Sequence, residues 1–415
     1  MLIKDLLEII SHGENSGVQF KRDGIRPEQL AKEIVALANH RGGMILLGVE
    51  DDGTISGIQR DDLETWIFDT VFARYVHPMI LPFYETVQID SDKKVAIISF
   101  PEGTSKPYVL RNNDREEIYI RAGSTSRLAT REQQARLFAA GGILHTELLP
   151  VPGTSFQSLD LTRIREYLTY IIHDPEIPDN DKDWIRRLIA LGMLTTVSGD
   201  RVVCTIAGVV LFGIQPRKYL RQAGIRLIVY DSEEKTYQTI LDTMLDGPCT
   251  GRYITNEHGV RTLQDPGLIE RFSEMIMPFI SVGANTVNNE FRLTKNWQYP
   301  FEAIREVVIN ALCHRDWTRA VDIEVSRYKD RIEIISPGAL PNSMTVEKMI
   351  AGQRSPRNPL IVEILRDYGY VESRGMGVRT KVIPLMKMNN KTEPVFQATE
   401  DYLCKSYTGK RNITN

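Results

Sequence analysis

The chain has 415 residues, of which 42% are hydrophobic and 25% charged, with a formal net charge of -3 and a pI of about 6.2. That mixture belongs to globular protein, and the length allows roughly two to four domains at about 100–200 residues each. The charge balance excludes a chain that is basic throughout, so any nucleic-acid contact must come from local cationic faces.

Cys204, Cys249, Cys313 and Cys404 are too widely spaced for a CxxC metal knuckle and give no disulfide framework. They read as buried, reduced thiols. The opening MLIKDLLEII is too short and too charged for a secretory signal. No run of about 18 apolar residues occurs, and the expected compartment is the cytoplasm.

In chain order, the first block runs over residues 1–145. It opens with a short helix from Ile3 to Ile10. Leu30, Ile34, Leu37 and Ala38 recur at helical spacing in EQLAKEIVALAN and predict an amphipathic helix from Glu28 to Asn39. Gly42-Gly43 precede the apolar strand MILLGV (44–49), and Asp51-Asp52-Gly53 is a turn of the Asp-Gly kind. Further strands are expected over 94–100 and 117–121.

The second block, 155–295, is read as an α/β connector. Helices over 162–172 and 184–191 lead to LTTV-SGDR-VVCT, a hairpin turning at Ser198-Gly199-Asp200, so helix-then-hairpin fits either a winged-helix-like element or a plain connector. Strands are expected over 208–212 and 225–230, and a helix over 268–280. The third block, 296–410, predicts a helix over 301–313, a strand pair over 323–328 and 331–335, and helices over 359–368 and 377–388. The tail after Lys410 reads as frayed. The fold class is α+β, multi-domain.

Six segments stand in order in the first block: Glu14; Gln19-Phe20-Lys21; Asn39-His40-Arg41-Gly42-Gly43; Gly48 to Gly53; Lys106-Pro107-Tyr108; and Tyr119 to Ser124. Glycines 42 and 43 allow positive φ and close backbone approach. Lys21, Arg22, Arg41, Arg121 and Arg127 are cations able to meet phosphates, and Tyr119 is able to stack on a base or to pack. Together the segments resemble the Schlafen/AlbA-type DNA-binding domain over about residues 8–140. The resemblance implies a mixed-sheet module that binds nucleic acid, DNA rather than RNA. In Schlafen-type nucleases, acidic residues in the segment corresponding to Glu14–Lys21 and a later Asp hold a metal. Here the candidates are Glu14, Asp51 and Asp52, but Gln19 replaces the second acid. A neutral amide weakens a divalent site, which argues for binding without cutting.

In the third block, FEAIREVVINALCHRDW places Glu306 and Asn310 one helical turn apart, with Ile304, Val307, Val308, Ala311 and Leu312 on the packing side. This resembles the N-box of the GHKL ATPases in its RecG-like C-terminal variant, a Bergerat-type α/β sandwich. The resemblance implies Mg-ATP, with Asn310 on the Mg ion and Glu306 as general base for slow hydrolysis. Ser336-Pro337-Gly338 stands where the adenine-binding segment falls, with Ser336 in place of the usual Asp. Gly375 and Gly377 precede a helix and are candidates for phosphate contact, as is His314. Arg315 and Asp316 are read as a structural ion pair, and Pro359 as a helix N1 residue.

No GxxxxGK[ST] occurs, so a Walker-type motor is excluded by motif. The favoured function is nucleic-acid binding, in transcription regulation or phage defence, with occupancy or a homodimer equilibrium controlled by Mg-ATP. The alternatives are an ATP-gated, metal-dependent endonuclease and an interaction module with a vestigial ATP pocket.

Overall fold

The N-terminal unit begins with α1 (Ile3–His12), β1 (Val18–Lys21), α2 (Pro27–Asn39) and β2 (Gly42–Leu47). The computed structural model describes the chain except residues 104, 113–114, 143–144, 257, 259, 288–292, 342–343, 354, 372–376, 400 and 410–415, together with the side chains of 282–287 and 293–296. The fold is α+β and multi-domain, and it divides into two compact units, Met1–Leu144 and His145–Asn415. The tail expected to fray after Lys410 lies outside the described residues.

Pro27 starts α2 at a position where no amide is needed, and Leu30, Ile34, Leu37 and Ala38 are all fully buried, as their spacing demands. β2 lies between β1, which is parallel to it, and the antiparallel β4 (Lys94–Pro101), whose other neighbour is β3 (Phe83–Gln88). The sheet is therefore mixed. Gly42 has φ +76, and a β-carbon there would lie 2.4 Å from the carbonyl carbon of Pro101, so only glycine permits this strand entry. The strand expected over 117–121 is broken at Ile118, and β5 (Tyr119–Ala122) instead forms a hairpin with β6 (Thr125–Leu128).

The second unit carries α3 (Leu161–Glu166), extended by one wide turn to Ile171, and α4 (Asp181–Ala190), capped by the Asn180 side chain. The hairpin of β7 (Leu194–Val197) and β8 (Arg201–Cys204) follows, in the helix-then-hairpin order read from the sequence. The strand expected over 208–212 is a helix, α5 (Ile206–Phe212). Thr205 Oγ1 accepts from Gly208 N at 3.0 Å and starts it. All seven of its residues are buried, so the run shows neither alternation nor a helical stripe, and periodicity could not tell the two apart.

One six-stranded sheet organises the rest. β8 is followed by β9 (Gly224–Val229) and β10 (Leu241–Asp246), and then α6 (Leu268–Ile280) and α7 (Phe301–His314). β11 (Ile323–Arg327) and β12 (Arg331–Pro337) precede α8 (Pro359–Asp367) and α9 (Ile383–Asn390). β13 (Val395–Ala398) and β14 (Tyr402–Thr408) end the described chain. The order across the sheet is β10-β9-β11-β12-β14-β13, with only β9 and β11 parallel. Residues 224–246 thus share a sheet with 323–408. β9 buries Ile225, Leu227 and Val229 beside Ile323 and Val325 of β11, and one hydrophobic cluster runs through both segments. α6 and α7 pack on this sheet, and α7 buries Ile304, Val307, Val308, Ala311 and Leu312.

Candidate functional site

α7 is buried on nearly all sides, yet it carries Glu306, Asn310 and His314 at four-residue intervals, a single polar stripe. That stripe lines a cavity of about 420 Å³ in the second unit. The same cavity is lined by Ser336 and Gly338 after β12, by Gly377 before α9, and by Lys405 on β14. Leu340, Met344, Met349 and Val362 give it apolar walls, and Arg366 and Arg379 also line it. Gly375 lies outside the described residues.

Local contacts shape each part. Asn310 Nδ2 donates to the backbone oxygen of Glu306 at 2.9 Å and to Glu306 Oε1 at 3.1 Å. The amide hydrogens are thereby turned toward Glu306, and Oδ1 remains an acceptor suited to a hard cation. A β-carbon on Gly377 would lie 1.9 Å from Glu306 Oε1, so a side chain at 377 would displace this carboxylate from its present place. Gly338 has φ +109, and its β-carbon would meet that of Asp316 at 2.6 Å. Its loop is fixed by Gly338 N to Asp401 O at 2.8 Å, by Asp316 N to Pro337 O at 2.8 Å, and by Arg357 Nη2 to Ala339 O at 2.5 Å.

Asp316 lies 3.3 Å from Arg357 Nη1 and accepts from Thr318. The expected Arg315–Asp316 pair does not form. The fully buried Arg315 instead donates to the carbonyls of Gln222, Arg319 and Val321 and lies over Trp317. Pro359 is at the start of α8, as read from the sequence, while the Asn358 side chain donates back to Cys313 O and Arg315 O at the end of α7. Glu147 accepts from the amides of Leu360 and Ile361 and satisfies the N-terminus of α8.

Burial and positive neighbours govern the cavity's electrostatics. Burial, then Lys405 and Arg357, push His314 down to about 4, so its ring is neutral at pH 7. Burial pushes Lys405 down to about 8 against the pull of Glu306. Lys405 was not among the expected site residues. The alternation Leu403-x-Lys405-x-Tyr407, with all three buried on one face of β14, is the signal that marks it.

The N-terminal candidates do not converge in the same way. Arg121 is 7% exposed and donates to Gln19 Oε1 at 2.6 Å, Glu33 Oε2 at 3.1 Å, Ser126 Oγ at 3.2 Å and Asn15 O at 2.7 Å. This corrects the expectation that it meets phosphate: the guanidinium is a buried cross-link. Gln19 explains itself in the same network, because its amide donates to Glu14 and accepts from Arg121, which a carboxylate at 19 could not do. Glu14 also accepts from Phe20 N at 2.8 Å and lies 3.9 Å from Lys21 Nζ.

Asp51 and Asp52 sit on an exposed turn, where Asp52 accepts from Thr54 N. Among the described residues, no three His, Cys, Asp or Glu side chains are grouped to hold a metal, and Glu14, Asp51 and Asp52, the candidates under the endonuclease alternative, are not brought together as one. Tyr119 is half-buried; its hydroxyl donates to Glu117 and Lys32 lies over its ring, so it packs. Arg22, Arg41 and Arg127 are exposed. On the β5–β6 hairpin, Arg127 pairs with Ile120 and lies on the face opposite Tyr119 and Arg121.

Residues 14–130 match the family described as "Schlafen, AlbA_2", and residues 321–404 match the family described as "Putative ATP-dependent DNA helicase recG C-terminal". The first match lies near the start of the chain and the second near its end. Both families point to a nucleic-acid-related, ATP-binding protein. Within the recG-type match lie Ser336 and Gly338, while Glu306 and Asn310 precede it.

The crystal structure of the DIP2311 protein from Corynebacterium diphtheriae is similar over 99% of this chain and 80% of its own, at 18% identity and a TM-score of 0.42. The solution structure of the N-terminal domain of a DNA helicase RecG-related protein from Nitrosomonas europaea is similar over 31% of this chain and 94% of its own, at 22% identity and a TM-score of 0.25. No match was found among curated proteins. No helix among the described residues is long and apolar enough to cross a membrane.

Proposed function

We propose that the cavity beside α7 binds a Mg-bound purine nucleoside triphosphate, ATP by the family's habit, and that this binding controls nucleic-acid occupancy of the Schlafen/AlbA_2 domain. The observation that carries the reading is that Glu306, Asn310, His314, Ser336, Gly338 and Gly377, drawn from three separate stretches of sequence, line one cavity. The residues suit the cofactor: an amide oxygen with no donor among the described residues, a carboxylate one turn away, and apolar walls for a base. Asn310 is the ligand for Mg, which neutralises triphosphate charge when bound, and Glu306 is the base that takes a proton from water in slow hydrolysis.

In this reading residues 1–145 handle nucleic acid, and 296–410 hold the nucleotide with strands supplied by the 155–295 segment. The exposed Arg22 and Arg127, with Lys21 and Arg41, supply the cations; DNA is favoured over RNA. A cytoplasmic homodimer acting in transcription regulation or phage defence suits such a switch, which needs only that nucleotide bind two states with different affinity.

Thermal melting with Mg-ATP or Mg-GTP tests the site. The expected result is a rise in Tm that Asn310→Ala abolishes; no rise with either nucleotide overturns it. Coupling is tested by measuring nucleotide affinity with and without bound duplex DNA. Equal affinities overturn the coupling, because linkage is reciprocal.

A further inference from the structure

Lys405 is not absorbed by that reading. It is 3% exposed, it lines the cavity, and among the described residues its ammonium makes no hydrogen bond or ion pair. A buried, unpaired ammonium is costly, and a strand position between Leu403 and Tyr407 would ordinarily hold an apolar side chain. A charge kept there against stability points to an anionic ligand.

The register shows which end of the cavity Lys405 serves. α7 runs alongside β12 in the same direction. Asn390 Nδ2 bridges Gln298 O, just before α7, to Thr408 O, which faces Arg331 at the start of β12; Asp316 N, just after α7, donates to Pro337 O at the end of β12. Ser336 Oγ meets Ala311 O at 3.4 Å and is level with the last turn of α7. Lys405 faces Ile334, two residues before Ser336 and so about 7 Å back along the strand. The same step back along α7 is about four to five residues, from Ala311 to Val307 and Glu306. Lys405 therefore stands across from the turn that carries Glu306 and Asn310, and Glu306 is the first charge that acts on it.

Resting on the nucleotide reading of this cavity, we propose that Lys405 binds the phosphate chain of the nucleoside triphosphate from the sheet side, opposite Glu306 and Asn310. An ammonium only donates, and phosphate oxygens only accept. Mg offsets part of the triphosphate charge, and α7 adds a carboxylate rather than a cation. Arg366 and Arg379 also line the cavity but are exposed, and His314 is neutral at pH 7, so Lys405 is the buried cation among the described lining residues.

Calorimetric titration of the full chain with Mg-ATP, with adenosine followed by its displacement of Mg-ATP, tests the proposal in the wild type and in Lys405→Met. The expected result is Mg-ATP binding about ten- to hundredfold weaker in the variant, the scale of a hydrogen bond to a charged group, with adenosine unchanged. The variant removes an unpaired buried charge and should melt no lower than the wild type; Lys405→Gln gives the same loss if the methionine variant does not fold. Mg-ATP bound equally by wild type and variant, or adenosine weakened as much as Mg-ATP, overturns the phosphate role of Lys405 and leaves the nucleotide site standing. Adenosine that displaces nothing from either protein puts the affinity on the phosphates, and the loss of Mg-ATP binding then decides alone. No binding of Mg-ATP to the wild type removes the nucleotide reading itself.

Discussion

Gly377 stands so close to Glu306 that a β-carbon on it would lie 1.9 Å from Oε1 and 2.5 Å from Cδ of that carboxylate. Its φ is ordinary, so the demand for glycine here comes from proximity alone. Glu306 is 4% exposed, but it lines the cavity, so its carboxylate has space to swing aside.

Gly377→Ala is therefore expected to push the Glu306 carboxylate away and to break its contact with Asn310 Nδ2. Stability should fall by no more than about 1 kcal/mol, the low end for overpacking, because the atoms that must shift are the far end of a flexible side chain. The Tm rise with saturating Mg-nucleotide should disappear in the same variant. A variant that melts and binds as the wild type does contradicts the close approach.

In the first unit, Arg121 and Arg22 should behave oppositely. Removing the buried Arg121 leaves Glu33, Gln19 and the Asn15 carbonyl without their shared donor. Arg121→Ala is expected to destabilise by about 3–5 kcal/mol, the range for breaking a buried pair from one side. Arg22 is exposed, so Arg22→Ala should shift stability by no more than about 0.5 kcal/mol. If Arg22 meets phosphate, the variant should bind duplex DNA more weakly and show a shallower salt dependence. Urea melts together with binding measured at two salt concentrations separate the two residues.

Sequence pattern disclosed most of the scaffold where one face is buried and the other wet. The stripe Leu30, Ile34, Leu37 and the alternation along Arg331–Pro337 are both of that kind. It failed at α5, which is buried all round and so carries no period. It could not show that Ile225–Val229 pair with Ile323–Arg327, because a parallel pairing across that separation leaves no local mark. The polar stripe of α7 was legible because i, i+4, i+8 spacing fixes a shared face. The roles of Arg121 and Lys405 were not, since a charged residue reads as surface until its surroundings are known. For Lys405 the alternation in YLCKSYT held the clue, with Leu403 and Tyr407 flanking it on the inward side.

His314 gives the cavity a pH signature. Burial, with Lys405 and Arg357 nearby, holds its folded pKa at about 4, against an ordinary value of 6.5. Between those values the unfolded chain binds the proton and the folded chain does not, so stability rises with pH across this window. The contribution is fully present above pH 6.5 and is lost as pH falls toward 4, amounting to about 3 kcal/mol at most. Moving from pH 7 to pH 5 should remove about 2 kcal/mol of it. His314→Gln keeps a polar side chain without the titration, so urea midpoints at the two pH values should differ less in the variant than in the wild type. Equal differences in both proteins would place the acid sensitivity in other groups and would mean that the ring takes up its proton as readily in the folded chain as in the unfolded one.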